Sequence, residues 1–215
     1  MKEICLGVEP FHQPSPVVNP GGDCFACALF AILRHLQPGA VSFEQCLEFF
    51  REKYHNSEEE FYNCTWPGFK SAVERAKEQL GIKVRIIYDF VEPRYRPAIH
   101  SHAFWTFLPL QEWGKRLESY LSEGWVAAAV IDFDGRGALL PDGTFNEHNH
   151  FITIDGFRSS EQPHPTVAGA QIIVNEAHVA CSVKGAYWID VTDLLKKYGA
   201  AALWLVRKSA GEVQD

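Results

Sequence analysis

Residues 19–33 read NPGGDCFACALFAIL and join a turn directly to the start of an apolar helix. Pro-Gly-Gly favours the turn, and Asp23 is a good N-cap for the helix that follows. Apolar side chains then recur at helical spacing, at Phe25, Leu29, Ile32 and Leu33. Because Pro38-Gly39 ends the pattern, we predict a largely buried helix whose first turn carries Cys24.

The position of Cys24 favours a reactive thiol. The first turn of a helix presents unpaired backbone N–H groups and the positive end of the helix dipole. Both stabilise a thiolate, which lowers the thiol pKa and makes the sulfur nucleophilic. Most cysteines are instead small buried apolar residues, so the assignment depends on whether a base follows later in the chain.

Composition limits the possible classes of protein. The chain has 215 residues, 47% of them hydrophobic, and a formal net charge of −7. We expect one globular domain over residues 1–215, with residues 1–19 as an extended N-terminal arm. The negative charge argues against nucleic acid or an anionic membrane as partner. With no signal-peptide core and no bilayer-spanning segment, we expect a cytoplasmic protein with reduced cysteines.

The pattern of elements predicts an α+β fold in two layers, with helices first and strands later. Ser42 and Gln45 form a capping box that opens a second helix, predicted to continue to Tyr54. A third helix is predicted to end at Gly81, and a fourth, from Leu110, at Gly124. A last helix is expected at 192–198, and strands at 83–90, 103–107, 125–131, 151–155, 171–174, 187–190 and 201–206.

Two later residues complete a catalytic set with Cys24. His150 begins the predicted strand 150–157, and Asn175 ends the next strand. An imidazole takes the thiol proton and later protonates the leaving group, while an amide oxygen fixes the orientation of the ring. His150 shares a strand face with Ile152 and Ile154, which we expect to pack on the core beside the cleft. His148 has the same parity but lies in a polar turn, so His150 is the preferred base.

The order Cys, His, Asn resembles that of the papain-like cysteine peptidase superfamily. Within it, the chain looks most like the bacteriocin-processing (double-glycine leader) peptidases. Residues 23–29, DCFACAL, follow that family's Asp-Cys-Gly-x-Ala-x-Leu helix start, with Phe25 in place of Gly and Cys27 in place of Ala. Residues 117–130, 150–156 and 187–195 resemble its helix and buried strand, its His-led strand and its closing element.

The resemblance implies a papain-like fold, with a helical layer on an antiparallel sheet and the active-site cleft between them. It implies hydrolysis of a peptide or isopeptide bond through an acyl-enzyme on Cys24, with His150 as base and Asn175 as orienter. The family's oxyanion-hole Gln, six residues before the nucleophile, is replaced by Val18, so Asn19 or Gln13 would have to serve. No cofactor or metal is implied, and the partner is a peptide or protein substrate, with ubiquitin-like proteins among the candidates.

Several alternatives remain open at the level of sequence. The same triad suits an acyltransferase or amidase, including a deubiquitinase, and a non-catalytic papain-like binding module is a third class. Alignment on papain itself would make Cys27 the nucleophile. Zinc is a further alternative, because His100 and His102, His148 and His150, and Cys24 and Cys27 have ligand spacing. Trp188 is the tryptophan that we expect nearest the site.

Overall fold

The structure, a computed structural model, describes residues 2–11, 23–55, 57–63, 66–90, 94–95, 105–106, 110–132, 149–159, 168–174, 185–196 and 202–209. The helices in these ranges are α1 (Asp23–Leu36), α2 (Phe43–Glu48), α3 (Trp66–Leu80), α4 (Leu110–Ser122) and α5 (Val191–Lys196). The strands are β1 (Lys2–Cys5), β2 (Arg51–Lys53), β3 (Glu60–Tyr62), β4 (Val84–Phe90), β5 (Arg94–Tyr95), β6 (Trp105–Thr106), β7 (Val126–Asp132), β8 (Asn149–Ser159), β9 (Gly169–Val174), β10 (Gly185–Asp190) and β11 (Ala202–Lys208).

One antiparallel sheet organises the molecule. Its strands lie in the order β10-β9-β8-β7-β11-β4, and β1 pairs with the end of β8. Every strand pair in this sheet is antiparallel. The predicted α+β class with an antiparallel sheet is therefore confirmed.

Helices cover both faces of this sheet, so the prediction of two layers is wrong. The pleat sends alternate side chains of each strand to opposite faces. On one face, Val130 and Phe151 join the core that α1, α2 and α3 build. On the other face, Ile131 and Ile152 join a second core with α4 and α5. The sequence showed α4 as amphipathic but did not show that it packs on the face opposite α1.

Helix α1 is the centre of the first core. All its residues from Asp23 to Leu33 are buried except Phe30, as its apolar pattern predicts. The Phe25 ring stacks on Phe151 near the start of β8, with the ring centroids 4.2 Å apart. Farther along, the Arg34 guanidinium donates to the main-chain oxygen of Glu9, in the segment that contacts the later part of β8. Helix α1 therefore runs along β8 in the same direction.

The capping box of α2 is confirmed, but the predicted length of the helix is wrong. The Gln45 amide donates to the Ser42 hydroxyl, and the Gln45 side chain accepts from the Ser42 amide. The helix ends at Glu48, and β2 then forms a hairpin with β3. A helix reaching Tyr54 would need the carbonyl oxygens of Phe49 and Phe50 for its own hydrogen bonds. Here the first accepts from Arg75 of α3 and the second from the Asn63 amide, which agrees with the early end.

Part of the predicted N-terminal arm belongs to the sheet. Strand β1 pairs with Gly156–Ser159 of β8, and residues 6–11 continue over α1. We call residues 2–11 the strap. Within the ranges described, no helix has the length and apolarity needed to cross a membrane.

Candidate active site

Cys24 is the second residue of α1, at the helical turn that the sequence predicted. Its side chain is 4% exposed, and it carries a thiol rather than a disulfide. Cys27, the alternative nucleophile, is fully buried one turn farther along the helix. The amide groups left unbonded at a helix start belong to the first turn, so they surround Cys24 rather than Cys27. Of the two cysteines, Cys24 is the one that lies at the start of the helix.

His150 is the second residue of β8, at the end of the strand nearest the start of α1. It is 4% exposed, and both ring nitrogens are shielded from solvent. Its main chain pairs with Ile131 of β7. Burial restricts the orientation of the ring, so the face on which β8 places it decides which groups it can reach.

The stacked rings of Phe25 and Phe151 bring the two candidate residues to the same end of the molecule. The ring planes are nearly parallel, 14° apart. Cys24 and His150 are the residues immediately before these two rings in the sequence. A single aromatic contact therefore brings the start of the helix that carries Cys24 next to the start of the strand that carries His150.

The strand faces differ from our expectation in one respect. Ile152 and Ile154 are buried, as predicted, but they pack in the core of α4 and α5. Phe151 points to α1 instead. Since His150 pairs with Ile131 of the second core, the pleat assigns His150 to the face opposite α1. The predicted buried face is correct, and the helix against which it packs is not the nucleophile helix.

Several predicted site residues lie outside the described residues. These are the orienter Asn175, the two oxyanion-hole candidates Asn19 and Gln13, and His148, the alternative to His150. Their roles stay predictions from the sequence. The same holds for His100 and His102 of the zinc alternative.

Trp188 lies far from the predicted site, so its expected position is wrong. It belongs to β10, and its ring packs under the guanidinium of Arg158, 4.7 Å from the ring centroid. Arg158 is near the end of β8, and His150 is near its beginning. With a rise of about 3.3 Å per residue, the two positions are roughly 26 Å apart along the strand. A single tryptophan in a strand gives no sign of which end of the sheet it will occupy.

Asp155 is the charged residue of this region that sequence reasoning did not select. It is 1% exposed and lies on β8 between Ile154 and Gly156, where the pairing with β9 shifts register. Burial raises the pKa of its carboxyl to about 6, although hydrogen bonds from the Val8 and Gly7 amides act in the opposite direction. An acidic residue followed by glycine inside an apolar strand was the available signal.

A groove between the β2–β3 hairpin and α3 is lined by charges but offers little chemistry. Its cations are committed to neighbouring carboxylates, as in the pairs of Arg75 with Glu52 and Arg51 with Glu48. Such exposed ion pairs are common surface features. In the part of the chain that the structure describes, no group of three His, Cys, Asp or Glu residues could hold a metal ion.

The chain matches no protein-family model, and no curated protein matches it in sequence. Any functional proposal therefore depends on the residues and their geometry.

Proposed function

We propose that the chain is a papain-like thiol hydrolase that cleaves a peptide or isopeptide bond, with Cys24 as its nucleophile. One observation carries the proposal: a buried thiol lies in the first turn of the central helix, and that turn packs at the start of the strand bearing His150. The order of the candidate residues in the chain agrees with the papain-like arrangement.

The chemistry divides into two steps on one sulfur. His150 accepts the Cys24 proton, and the thiolate attacks the carbonyl carbon of the scissile bond. The imidazolium then donates its proton to the leaving amine, which leaves an acyl group on the sulfur. Water, activated by the same imidazole, releases the acid and regenerates the thiol. In this proposal Asn175 orients the ring, and the Cys24 amide with Asn19 or Gln13 stabilises the oxyanion.

The pleat of β8 sets one requirement for this mechanism. The His150 ring starts on the face opposite α1, so it must turn around the end of the strand to reach the sulfur. Only the pair of Asn149 with Asp132 precedes it in the ladder with β7. A strand end rotates more easily than a strand centre, and catalytic hydrogen bonds often tighten only when substrate binds.

The test is the rate at which Cys24 is alkylated, followed by mass spectrometry as a function of pH. Paired with His150, Cys24 should be a thiolate well below its usual pKa of about 8.5 and should react rapidly even near pH 6. We expect His150→Ala to abolish that low-pH reactivity together with labelling by an electrophilic peptide probe. His148→Ala is the matched control and should leave both within about threefold of the parent.

Two outcomes would contradict the proposal. If the parent protein alkylates at Cys24 only as an ordinary thiol does, a non-catalytic papain-like module is the better description. If His148→Ala removes the reactive thiolate and His150→Ala retains it, the assignment of the base is wrong.

A further inference from the structure

Asp155 binds the strap through three successive amides. The Leu6 amide donates to the Asp155 main-chain oxygen at 2.8 Å, and the Val8 amide donates to Oδ2 at 2.9 Å. The Gly7 amide, between them, also bonds to this carboxyl. The second carboxyl oxygen, Oδ1, is buried without a hydrogen-bond partner in the described part of the chain. Burying a carboxyl to this extent costs free energy, so we ask what its contact with the strap contributes.

The strap has the backbone conformation that this carboxyl requires. Gly7 has φ +74°, in the left-handed region, and no atom lies within 4 Å of the place where a Cβ would stand. The glycine is therefore required by its conformation and not by lack of space. A left-handed residue in a turn lets successive N–H groups converge on one anion.

Gly156, the residue after Asp155, leaves the space that the strap backbone occupies. A Cβ on Gly156 would lie 3.1 Å from the main-chain oxygen of Ile4 and 2.8 Å from the Cβ of Gln171. Any larger residue would push the strap away from β8 or disturb β9. Asp155 and Gly156 thus form the binding site for the strap on β8. Asp155 accepts hydrogen bonds from the strap amides, and Gly156 leaves room for the strap backbone.

The other side of the strap contacts the nucleophile helix. Arg34 of α1 donates to the main-chain oxygens of Glu9 and Pro10, at 3.0 and 3.4 Å. The Phe11 ring packs edge-on against Phe30 of α1, with centroids 4.5 Å apart. Val8 is buried in the same core as α1. The strap therefore joins Asp155 on β8 to the second half of α1.

We propose that Asp155 is a positioning residue for the Cys24 site, acting through the strap. This inference rests on the proposed function. The stacked rings of Phe25 and Phe151 hold the first turn of α1 against β8, and the strap holds the helix to the same strand two turns later. Two separated attachments fix both the position and the direction of a helix, and so fix where the Cys24 sulfur lies relative to the end of β8.

The experiment uses the full chain and two readouts on each variant. Hydrogen exchange measures the amides of Gly7 and Val8, which bond to the carboxyl, and the pH profile of alkylation measures the state of Cys24. In Asp155→Ala we expect the amides to exchange at least about tenfold faster and alkylation near pH 6 to fall at least about tenfold. Asp155→Asn keeps an acceptor oxygen, and both readouts should stay within about threefold of the parent.

Cys5→Ser is the matched control on the strap itself. The exposed Cys5 thiol donates to Oε1 of Gln171, at 2.9 Å, and not to the Asp155 carboxyl, so both readouts should be unchanged. If Asp155→Ala does not fold, Gly7→Ala weakens the same contact through backbone strain alone. It should then speed amide exchange and slow alkylation near pH 6, each by at least about threefold.

The outcomes separate this proposal from the proposed function. Faster amide exchange in Asp155→Ala or Gly7→Ala with an unchanged alkylation profile would overturn the positioning role, while the hydrolase proposal would stand. Unchanged exchange in Asp155→Ala would overturn the anchoring itself. If the parent protein lacks low-pH reactivity at Cys24, the hydrolase proposal fails and the positioning role fails with it.

Discussion

Asp155→Asn should change how the stability of the protein depends on pH. The carboxyl of Asp155 is almost fully removed from solvent, and burial raises its pKa from 3.8 to about 6. A carboxyl whose pKa is higher in the folded than in the unfolded chain binds its proton more tightly when folded. Its contribution to stability is therefore fully present below about pH 3.8 and is lost as the pH rises through 6.

The size of the effect follows from that difference in pKa. One pKa unit corresponds to about 1.4 kcal/mol, so the whole contribution is about 3 kcal/mol. Between about pH 5 and pH 7.5, the parent protein should lose about 1–2 kcal/mol of unfolding free energy through this group. Asparagine does not ionise, so the variant should not show this loss. Its amide donor carries a penalty that does not depend on pH and therefore cancels in the comparison.

The assay is urea denaturation of both proteins at the two pH values, followed by tryptophan fluorescence. We expect the unfolding free energy of the variant minus that of the parent to rise by about 1–2 kcal/mol from the lower to the higher pH. Glu59→Gln is the control, because Glu59 is exposed in the turn between β2 and β3. In that control the same difference should stay constant.

A difference between Asp155→Asn and the parent that does not change with pH would refute the reasoning. It would mean that the folded pKa of Asp155 is not raised above 3.8, either because the carboxyl is hydrated in solution or because the amides of the strap outweigh the cost of burial. In both cases the carboxyl is ionised in the folded and in the unfolded chain throughout this pH range, so its contribution does not change.

Three further predictions concern single sites. Ser42→Ala removes the acceptor of the capping box and should lower the unfolding free energy by about 1 kcal/mol in urea; no change would contradict the cap. Burial raises the pKa of the Cys46 thiol, so in the native protein alkylation of Cys46 should be far slower than that of exposed Cys5, as mass spectrometry would show. Chelators should leave the melting temperature unchanged, whereas stoichiometric zinc lost together with the fold would favour the metal alternative.

The elements that the sequence predicted well are those whose signals are local. The apolar spacing from Phe25 to Leu33, preceded by Asp23, predicted α1. In a helix packed on a core, every third or fourth residue is apolar, so the signal lies within the segment itself. The Ser42–Gln45 capping box acts within one turn and was equally clear. Alternating or continuous apolar runs identified the central strands for the same reason.

The errors all concern contacts between residues distant in the sequence. Helix α2 is shorter than its pattern suggests, and the carbonyl oxygens of Phe49 and Phe50 that would extend it accept instead from Arg75 and from the Asn63 amide. Part of the predicted arm forms β1 and the strap, because it pairs with β8 from Gly156 onward and its amides bond to Asp155. A local pattern indicates that a strand face is buried but does not indicate which helix packs against it. For this reason the face of Ile152 was expected to pack beside the cleft, whereas it packs against α4 and α5.

Phe25 shows how the structure accommodates a large side chain in the first turn of α1. It stands where the resembling family has glycine, and its ring is accommodated because Phe151 provides a stacking partner. That contact fixes the helix to β8. The same pleat that points Phe151 at the helix turns the preceding side chain, His150, to the other face. Phe151 and His150 therefore cannot both face α1 within a regular strand. Catalysis by this pair requires β8 to depart from regular geometry between Phe151 and its end at Asn149, where the fewest ladder bonds oppose such a change.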